Sequence, residues 1–130
     1  MVGAVIAYLD TQIVVWLCGK QIDRLPAVAK AAIEECGLRI SPMVLLELQY
    51  LYEIKRIRRA PQTLLKQLRT QIQLEVCDHP FPSVIESALF ETWARDPFDR
   101  VIVAQATSNA SSPLITSDAK IRRNYSQSVW

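Results

Sequence analysis

The chain has 130 residues, half of them hydrophobic, which suits one ordinary domain with a buried core over residues 1–130. Its formal net charge is only +2, so overall charge alone does not indicate a nucleic-acid partner. The cysteines, Cys18, Cys36 and Cys77, form no Cys-x-x-Cys pattern, and His79 is the only histidine. Zinc is therefore not expected, and buried, reduced thiols in a cytosolic protein are the favoured interpretation.

The first predicted elements lie in the apolar stretch VGAVIAYLDTQIVVWLCG, residues 2–19. Val2 to Leu9 is a continuous apolar run, typical of a strand covered on both faces. Asp10 ends it, and Thr11 to Leu17 reads as a helix. An ionised aspartate in the middle would be costly inside a membrane. Without a basic n-region or a cleavage site, an export signal is not expected either, so we expect a cytoplasmic protein with no membrane association.

The remaining chain alternates helices and short strands, which predicts an α/β class with a mostly parallel sheet. Gly37 is interpreted as a helix stop, and Ser83 with Glu86 has capping-box spacing. A final edge strand is predicted in the last residues, SVW. The other predicted helices are Pro26–Cys36, Ser41 to about Ile54, Pro61–Gln71, Ser83–Trp93, Asp96 to about Ser108 and Ala119–Tyr125, and the other predicted strands are Leu38–Ile40, Leu74–Cys77 and Leu114–Thr116.

Several acidic residues stand where helices are predicted to begin. Asp10 and Asp118 follow predicted strands, and each could cap the next helix. In the segment RDPFDR, Asp96 is a natural N-cap with Pro97 at the first helical position. Asp99 then falls at N3, where a carboxylate favours the helix dipole. Taken singly, each of these aspartates is better explained as a helix cap than as a ligand.

Glu47 is different, because its helical neighbours three and four residues away present apolar bodies. These neighbours are Met43, Val44, Tyr50 and Leu51. A carboxylate on such a face is costly to bury unless it is paired or binds a metal. A salt bridge to a basic residue such as Arg100 is the structural alternative.

Taken together, the carboxylates suggest a shared site. Ligands of open parallel sheets bind outside the carboxyl ends of the strands, where Asp10, Asp118 and the helix starts bearing Asp99 and Glu47 would meet. Converging carboxylates repel one another, and a divalent cation commonly resolves that repulsion. Mg²⁺ prefers such oxygen ligands, and the absence of thiolate or imidazole ligands argues against zinc.

Four segments in this order carry a family resemblance: LDTQIVVWL, SPMVLLELQYL, RDPFDRVIVAQA and LITSDAKI. Over nearly the whole chain they resemble a PIN domain, most closely the VapC-type toxins of bacterial toxin–antitoxin pairs. The resemblance implies an α/β/α sandwich around a mostly parallel sheet of four to five strands. It also implies an RNA-cleaving enzyme that depends on Mg²⁺ or Mn²⁺ and is commonly a homodimer.

The family's acidic quartet carries over as Asp10, Glu47, Asp99 and Asp118. Asp10 and Asp99 would anchor a metal ion, and the other two would complete its shell or act as a base on a metal-bound water. The number of metal ions stays open. Asp96 matches a less central acidic position, open between a ligand and a cap. Small hydroxyl residues are expected close to the site, namely Thr11, Thr116 and Ser117.

Positive charge near such a site could hold RNA phosphates, although a solvated basic face is an equal alternative. The candidates are Lys55, Arg56, Arg58, Arg59, Arg122 and Arg123. The resemblance also implies a cognate antitoxin whose Arg or Lys reaches the acidic pocket. Among the aromatics, Trp16, Trp93 and Phe90 are predicted in the core, whereas Tyr50 and Tyr52 lie on different helix faces, so at least one is expected to be exposed or at an interface.

Three other functions are compatible with parts of this pattern. A PIN nuclease acting on DNA shares the metal site, and a silent PIN-fold binding module shares the fold, although the intact quartet argues against it. A phosphoacceptor domain would need a lysine near the aspartates and an acidic pair after the first strand, and neither is present. The sequence leaves the target RNA, the antitoxin and the dimer surface open.

Overall fold

A computed structural model describes residues 5–130, so the start of the predicted strand at Val2 lies outside the described residues. Within that part of the chain, five strands and seven α-helices alternate, with one short 3₁₀ helix that the sequence pattern did not predict (Ile22–Arg24). In chain order they are β1 (Ile6–Leu9), α1 (Thr11–Cys18), α2 (Ala27–Glu35), β2 (Gly37–Ile40), α3 (Pro42–Glu53), α4 (Pro61–Ile72), β3 (Glu75–Val76), α5 (Phe81–Ala88), α6 (Pro97–Ser108), β4 (Leu114–Ile115), α7 (Ala119–Asn124) and β5 (Ser128–Val129).

The five strands form one parallel sheet in the order β3-β2-β1-β4-β5. Tyr8 lies opposite Leu114, and Leu9 lies opposite Ile115, so β1 and β4 are neighbours at the centre. β5 pairs with β4 and forms the edge strand predicted in the last residues. The predicted α/β/α sandwich with a mostly parallel sheet is therefore confirmed.

The strand order contains one reversal. The chain runs outward from β1 through β2 to β3, and then returns to place β4 on the other side of β1. Because parallel crossover connections are almost always right-handed, helices before and after this reversal cover opposite faces of the sheet. Ligand sites of open α/β sheets lie at such a switch point, which here falls between the carboxyl ends of β1 and β4.

The central strands and α6 form the core of the molecule. Ala7, Leu9, Leu114 and Ile115 are completely buried, as expected for strands covered on both faces. In α6, all six consecutive residues from 101 to 106 are buried. The middle of this helix is therefore enclosed on all sides, which explains why its sequence VIVAQA lacks a charged face.

The predicted helix Ser83–Trp93 is displaced in the structure. Helix α5 begins two residues earlier, at Phe81, and ends at Ala88. Pro82 fits the first turn, where its missing N–H costs nothing, and the Ser83 N–H already donates to the Pro80 carbonyl at 3.1 Å. Ser83 therefore lies inside the first turn, and the predicted capping box with Glu86 is wrong.

Gly37, interpreted from the sequence as a helix stop, lies two residues beyond the end of α2. Helix α2 ends at Glu35, and Gly37 is the first residue of β2. A Cβ atom there would lie 2.9 Å from the Ile6 side chain on the neighbouring strand. The glycine therefore permits close approach of β1 and β2.

The predicted burial of the aromatic and cysteine side chains is only partly correct. Trp16 and Trp93 pack half-buried against the core, whereas Phe90 is 83% exposed, so its predicted core position is wrong. Tyr50 and Tyr52 are both exposed. All three cysteines are free; two are buried as predicted, but Cys36 is only half-buried.

The described part of the chain, residues 5–130, contains no helix with the length and apolar character of a membrane span.

Candidate active site

Four acidic side chains from four different elements line one cleft of about 280 Å³ at the switch point of the sheet. Asp10 directly follows β1, and Asp118 begins α7 just after β4. Glu47 projects from α3, and Asp99 projects from the first turn of α6. The cleft is completed by Thr11, Gln12, Leu51 and Ser117. The structure thus brings the whole predicted quartet together.

Asp10 lies deepest and is 8% exposed. One carboxylate oxygen accepts a hydrogen bond from the Thr11 N–H at 2.8 Å, as expected for a residue that caps α1. The other accepts one from the Thr116 hydroxyl at 2.6 Å. Burial raises the pKa of Asp10, and these hydrogen bonds oppose that rise. The capping interpretation is correct, but it accounts for only one of the two oxygens.

Glu47 is held by a hydroxyl group and not by a basic residue. The Thr11 hydroxyl donates to its Oε1 at 2.5 Å, across 36 residues of sequence. The Arg100 guanidinium instead donates to the Leu89 carbonyl at 3.3 Å, so the alternative of a Glu47–Arg100 salt bridge is wrong. Burial raises the pKa of Glu47, and the nearby charge of Asp10 raises it further.

Asp96 and Asp99 divide two roles between them. Asp96 is exposed and caps α6, accepting hydrogen bonds from the N–H groups of Phe98 at 2.8 Å and Asp99 at 3.4 Å. The Asp99 carboxyl lines the cleft instead. Burial raises the pKa of Asp99 to about 7, and the charges of the other cleft carboxylates and Asp96 contribute to that rise. Asp99 therefore lies in a strongly negative environment.

Thr116 connects two of the acidic residues. Besides donating to Asp10, its hydroxyl accepts a hydrogen bond from the Asp118 N–H at 3.1 Å. Asp118 in turn caps α7, because its Oδ1 accepts from the Ile121 N–H at 2.9 Å. Ser117, between them, lines the cleft. The three predicted hydroxyl residues are thus at the site, and Thr11 and Thr116 orient its carboxylates.

The potential ligand atoms in the cleft are of the chemical type that suits a hard divalent cation. Among residues 5–130, no three Asp, Glu, His or Cys side chains approach closely enough to form a ready-made metal-binding group. The four cleft residues nevertheless offer only carboxylate oxygens, and the raised pKa values of three of them reflect burial together with mutual repulsion. Mg²⁺ fits such an open arrangement, because it binds one or two carboxylates and retains several waters.

The predicted RNA-contacting residues lie outside the cleft. Arg56, Arg58 and Arg59, in the loop after α3, line a separate hollow that Leu64 also lines. Arg59 is already engaged there, since its guanidinium donates to the Cys18 carbonyl at 3.1 Å and to Gln67 at 2.7 Å. It thereby stabilises the C-terminus of α1, where the helix dipole favours positive charge. Contact of this group with RNA remains a prediction.

Two cleft residues were not identified from the sequence. Gln12 is the second residue of α1, and Leu51 lies one helical turn after Glu47 on α3. The spacing of four residues from Glu47 was a usable signal for Leu51, because residues four apart share a helix face.

Comparisons with known proteins agree with this architecture. The model of the PIN domain family matches residues 7–126. No curated protein sequence matches the chain. Among solved structures, VapBC2 from Rickettsia felis, bound to a DNA fragment from its promoter, contains a chain with TM-score 0.64 and 21% identity over 92% of each chain.

A toxin–antitoxin complex from Klebsiella pneumoniae contains a chain with TM-score 0.62 and 19% identity, covering 95% of this chain and 96% of that one. PAE2754 from Pyrobaculum aerophilum gives TM-score 0.59 and 18% identity, with 98% and 90% of the two chains covered. At these identities the likeness concerns the fold, whereas the family match extends over most of the sequence. The chain belongs to the PIN domain family.

Proposed function

We propose that the protein is a metal-dependent endoribonuclease that acts as the toxin of a toxin–antitoxin pair. The observation that carries the proposal is the cleft at the switch point, where Asp10, Glu47, Asp99 and Asp118 meet without a basic partner among its lining residues. Family membership and the fold shared with chains of toxin–antitoxin complexes support a toxin nuclease. Metal dependence and the choice of RNA belong to the proposal.

Asp10 and Asp99 would hold Mg²⁺ or Mn²⁺, directly or through water. A bound cation of this kind stabilises negative charge on phosphoryl oxygens and lowers the pKa of water. Thr116 and the Thr11 N–H fix both oxygens of Asp10, which keeps the deepest carboxylate in one orientation. Such preorganisation is what an electrostatic site requires, because the groups need not rearrange during the reaction.

Glu47 and Asp118 would complete the cation's shell or take up the proton of an attacking water. Glu47 suits the second role, because Thr11 fixes its Oε1 and its raised pKa makes it a better proton acceptor. The candidate oxygen is then Oε2, which the Thr11 hydroxyl does not contact. Hydrolysis of the phosphodiester would leave a 5′-phosphate and a 3′-hydroxyl.

The central experiment compares two aspartates three residues apart. RNA cleavage by the purified protein is measured with Mg²⁺ and with a chelator, for the wild type, Asp10→Asn, Asp99→Asn and Asp96→Asn. We expect Asp99→Asn to lose at least about 100-fold in rate, the scale of removing one electrostatic group from a site. Asp96→Asn should retain most activity, because Asn caps helices as well as Asp. Full activity of both Asp99→Asn and Asp10→Asn would refute the site.

The toxin assignment has a test in cells. Expression should arrest bacterial growth, and co-expression with the product of a short neighbouring gene should relieve the arrest. The acidic cleft would attract a basic side chain of that antitoxin, with which we expect a stable complex. Asp99→Asn should not arrest growth, whereas Asp96→Asn should. We further propose that the protein is a cytoplasmic homodimer, and light scattering on the purified protein can test the dimer.

The same assays separate the competing functions. Cleavage of single-stranded DNA in preference to RNA would indicate a DNA-directed PIN nuclease. Absence of cleavage with either nucleic acid, combined with antitoxin binding, would indicate a silent binding module. Preferential cleavage of DNA would leave the cleft as the active site, whereas binding without cleavage would not.

A further inference from the structure

A second, basic depression lies directly beside the acidic cleft. It is a shallow hollow of about 480 Å³ lined by Ala119, Arg122, Arg123, Ser128 and Trp130. Both arginines are exposed in the last turn of α7. None of the five residues, all within the described part of the chain, carries a side-chain carboxylate. The hollow therefore opposes the acidic cleft in charge.

Trp130, which lines this basic hollow, belongs to an aromatic pair. Trp130 is half-buried, and its ring packs against Trp16 of α1, with ring centroids 6.0 Å apart and the planes tilted by 36°. The exposed Arg24 guanidinium lies 5.5 Å from the centre of the Trp16 ring. Trp16 thus packs against Trp130, whose side chain stays partly accessible, and Arg24 adds positive charge beside the pair.

The hollow and the cleft are adjacent at the start of α7, and α1 connects the cleft with the aromatic pair. Asp118 lines the cleft and Ala119, the next residue, lines the hollow. On α1, Gln12 lines the cleft, and Trp16 lies one helical turn further along, or about 6 Å at 1.5 Å per residue. These short separations place the aromatic pair within reach of a chain that crosses the carboxylates.

We propose that this hollow binds the flank of a single-stranded RNA substrate whose scissile phosphate lies in the acidic cleft. Arg122 and Arg123 contact its phosphates, and a base stacks on Trp130. An accessible aromatic ring combined with exposed arginines is the arrangement by which proteins bind single strands with little sequence preference. It also supplies the attraction that a cleft of carboxylates cannot provide. The inference rests on the proposed function, since it assigns a substrate subsite to that same site.

Binding is measured without metal, so that no cleavage occurs. The probe is a fluorescein-labelled single-stranded RNA of about ten nucleotides, titrated with wild type, Trp130→Ala, Trp130→Phe and Arg122→Ala/Arg123→Ala. We expect Trp130→Ala to weaken binding by about tenfold, within the range known for one base stacked on an aromatic ring. Trp130→Phe should recover part of that loss, because it keeps an aromatic face.

Removal of the two arginines should change the salt dependence of RNA binding in a way that loss of structure would not mimic. Each phosphate contact with a single strand adds about 0.7 to the slope of log affinity against log salt, so the double variant should lower the slope by about 1.4. Phe90→Ala is the matched aromatic control, because Phe90 is 83% exposed elsewhere on the surface. Lys66→Ala/Arg69→Ala is the matched charge control on α4.

The outcomes separate this inference from the proposed function. Undetectable binding by the wild type, or variants that bind like their controls, overturns the subsite even if RNA is cleaved. Binding that depends on Trp130 and the arginines, without cleavage under any metal condition, supports the subsite while the nuclease proposal fails. If the variants bind RNA normally but lose affinity for a co-expressed antitoxin, the hollow is a protein-docking surface and the inference is wrong.

Discussion

Thr116 contacts two acidic residues at once, and it does so from a fully buried position. Its hydroxyl donates a hydrogen bond to Asp10 and accepts one from the Asp118 N–H. Both partners are therefore fixed by one side chain whose χ1 rotation is restricted by β-branching. A short hydroxyl suits this position, because a longer donor would not fit between the carboxylate and the chain turn that leads into α7.

Thr116→Val keeps the shape of this side chain and removes both hydrogen bonds. It leaves one oxygen of the buried Asp10 without its hydroxyl partner, and an unsatisfied buried group costs about 1–3 kcal/mol. We expect a loss of stability of that size, together with reduced RNA cleavage because Asp10 is no longer held. Thr116→Ser keeps the hydroxyl, so it should retain both the stability and the RNA cleavage of the wild type. Urea unfolding and cleavage rates test the pair, and a valine variant with wild-type rates would show that the hydroxyl does not position Asp10.

At the scale of elements, α3 and α6 carry Glu47 and Asp99, so their relative placement sets the width of the cleft. A buried hydrogen bond joins them, since the Ser41 hydroxyl donates to Gln105 Oε1 at 2.8 Å. Ser41 also caps α3 by accepting the Met43 N–H at 3.1 Å. The amide nitrogen of Gln105 is buried without a hydrogen-bond partner among the described residues. The hydrogen bond from Ser41 therefore satisfies the amide oxygen of Gln105 but leaves its nitrogen unpaired among the described residues.

A double-mutant cycle tests this link between the helices. Ser41→Ala removes the cap and leaves the whole Gln105 amide unpaired, so we expect a loss of about 1–3 kcal/mol in unfolding free energy. Gln105→Met replaces the amide with an apolar group of similar size, and the double variant should be more stable than the sum of the single effects predicts. Chemical denaturation measures all three variants. Strict additivity would mean that the two side chains do not interact.

At the scale of the whole molecule, local patterns predicted the sheet and the quartet, but not the long-range contacts. Buried strands ending in an acidic residue and a carboxylate on an apolar helix face are visible within about ten residues, which is how Asp10 and Glu47 were found. The bond between Thr11 and Glu47 joins different elements, so no local pattern indicates it. For Phe90 the local pattern predicted a core position that the structure does not have, because an apolar residue is not necessarily a buried one.

Clustered carboxylates also make the stability of the whole protein depend on pH in a definite direction. The folded-state pKa of Asp99, about 7, lies above its ordinary value of 3.8, and burial also raises the pKa of Asp10 and Glu47. Between about pH 4 and 7 the folded chain therefore retains protons that the unfolded chain has lost. Unfolding releases these protons, so the free energy of unfolding falls as the pH rises through this window.

We therefore expect the metal-free protein to melt at a lower temperature at pH 7.5 than at pH 5.5, without a pH optimum near neutrality. Asp99→Asn should flatten this dependence, because it removes the group whose raised pKa lies in the window. Mg²⁺ should raise the melting temperature at pH 7.5 more than at pH 5.5, since cation binding requires ionised carboxylates. Thermal melts with and without a chelator measure both effects, and Asp78→Asn, an exposed site, is the control. A wild-type melting temperature that rises from pH 5.5 to 7.5 without metal would contradict the proposed repulsion among the four carboxylates.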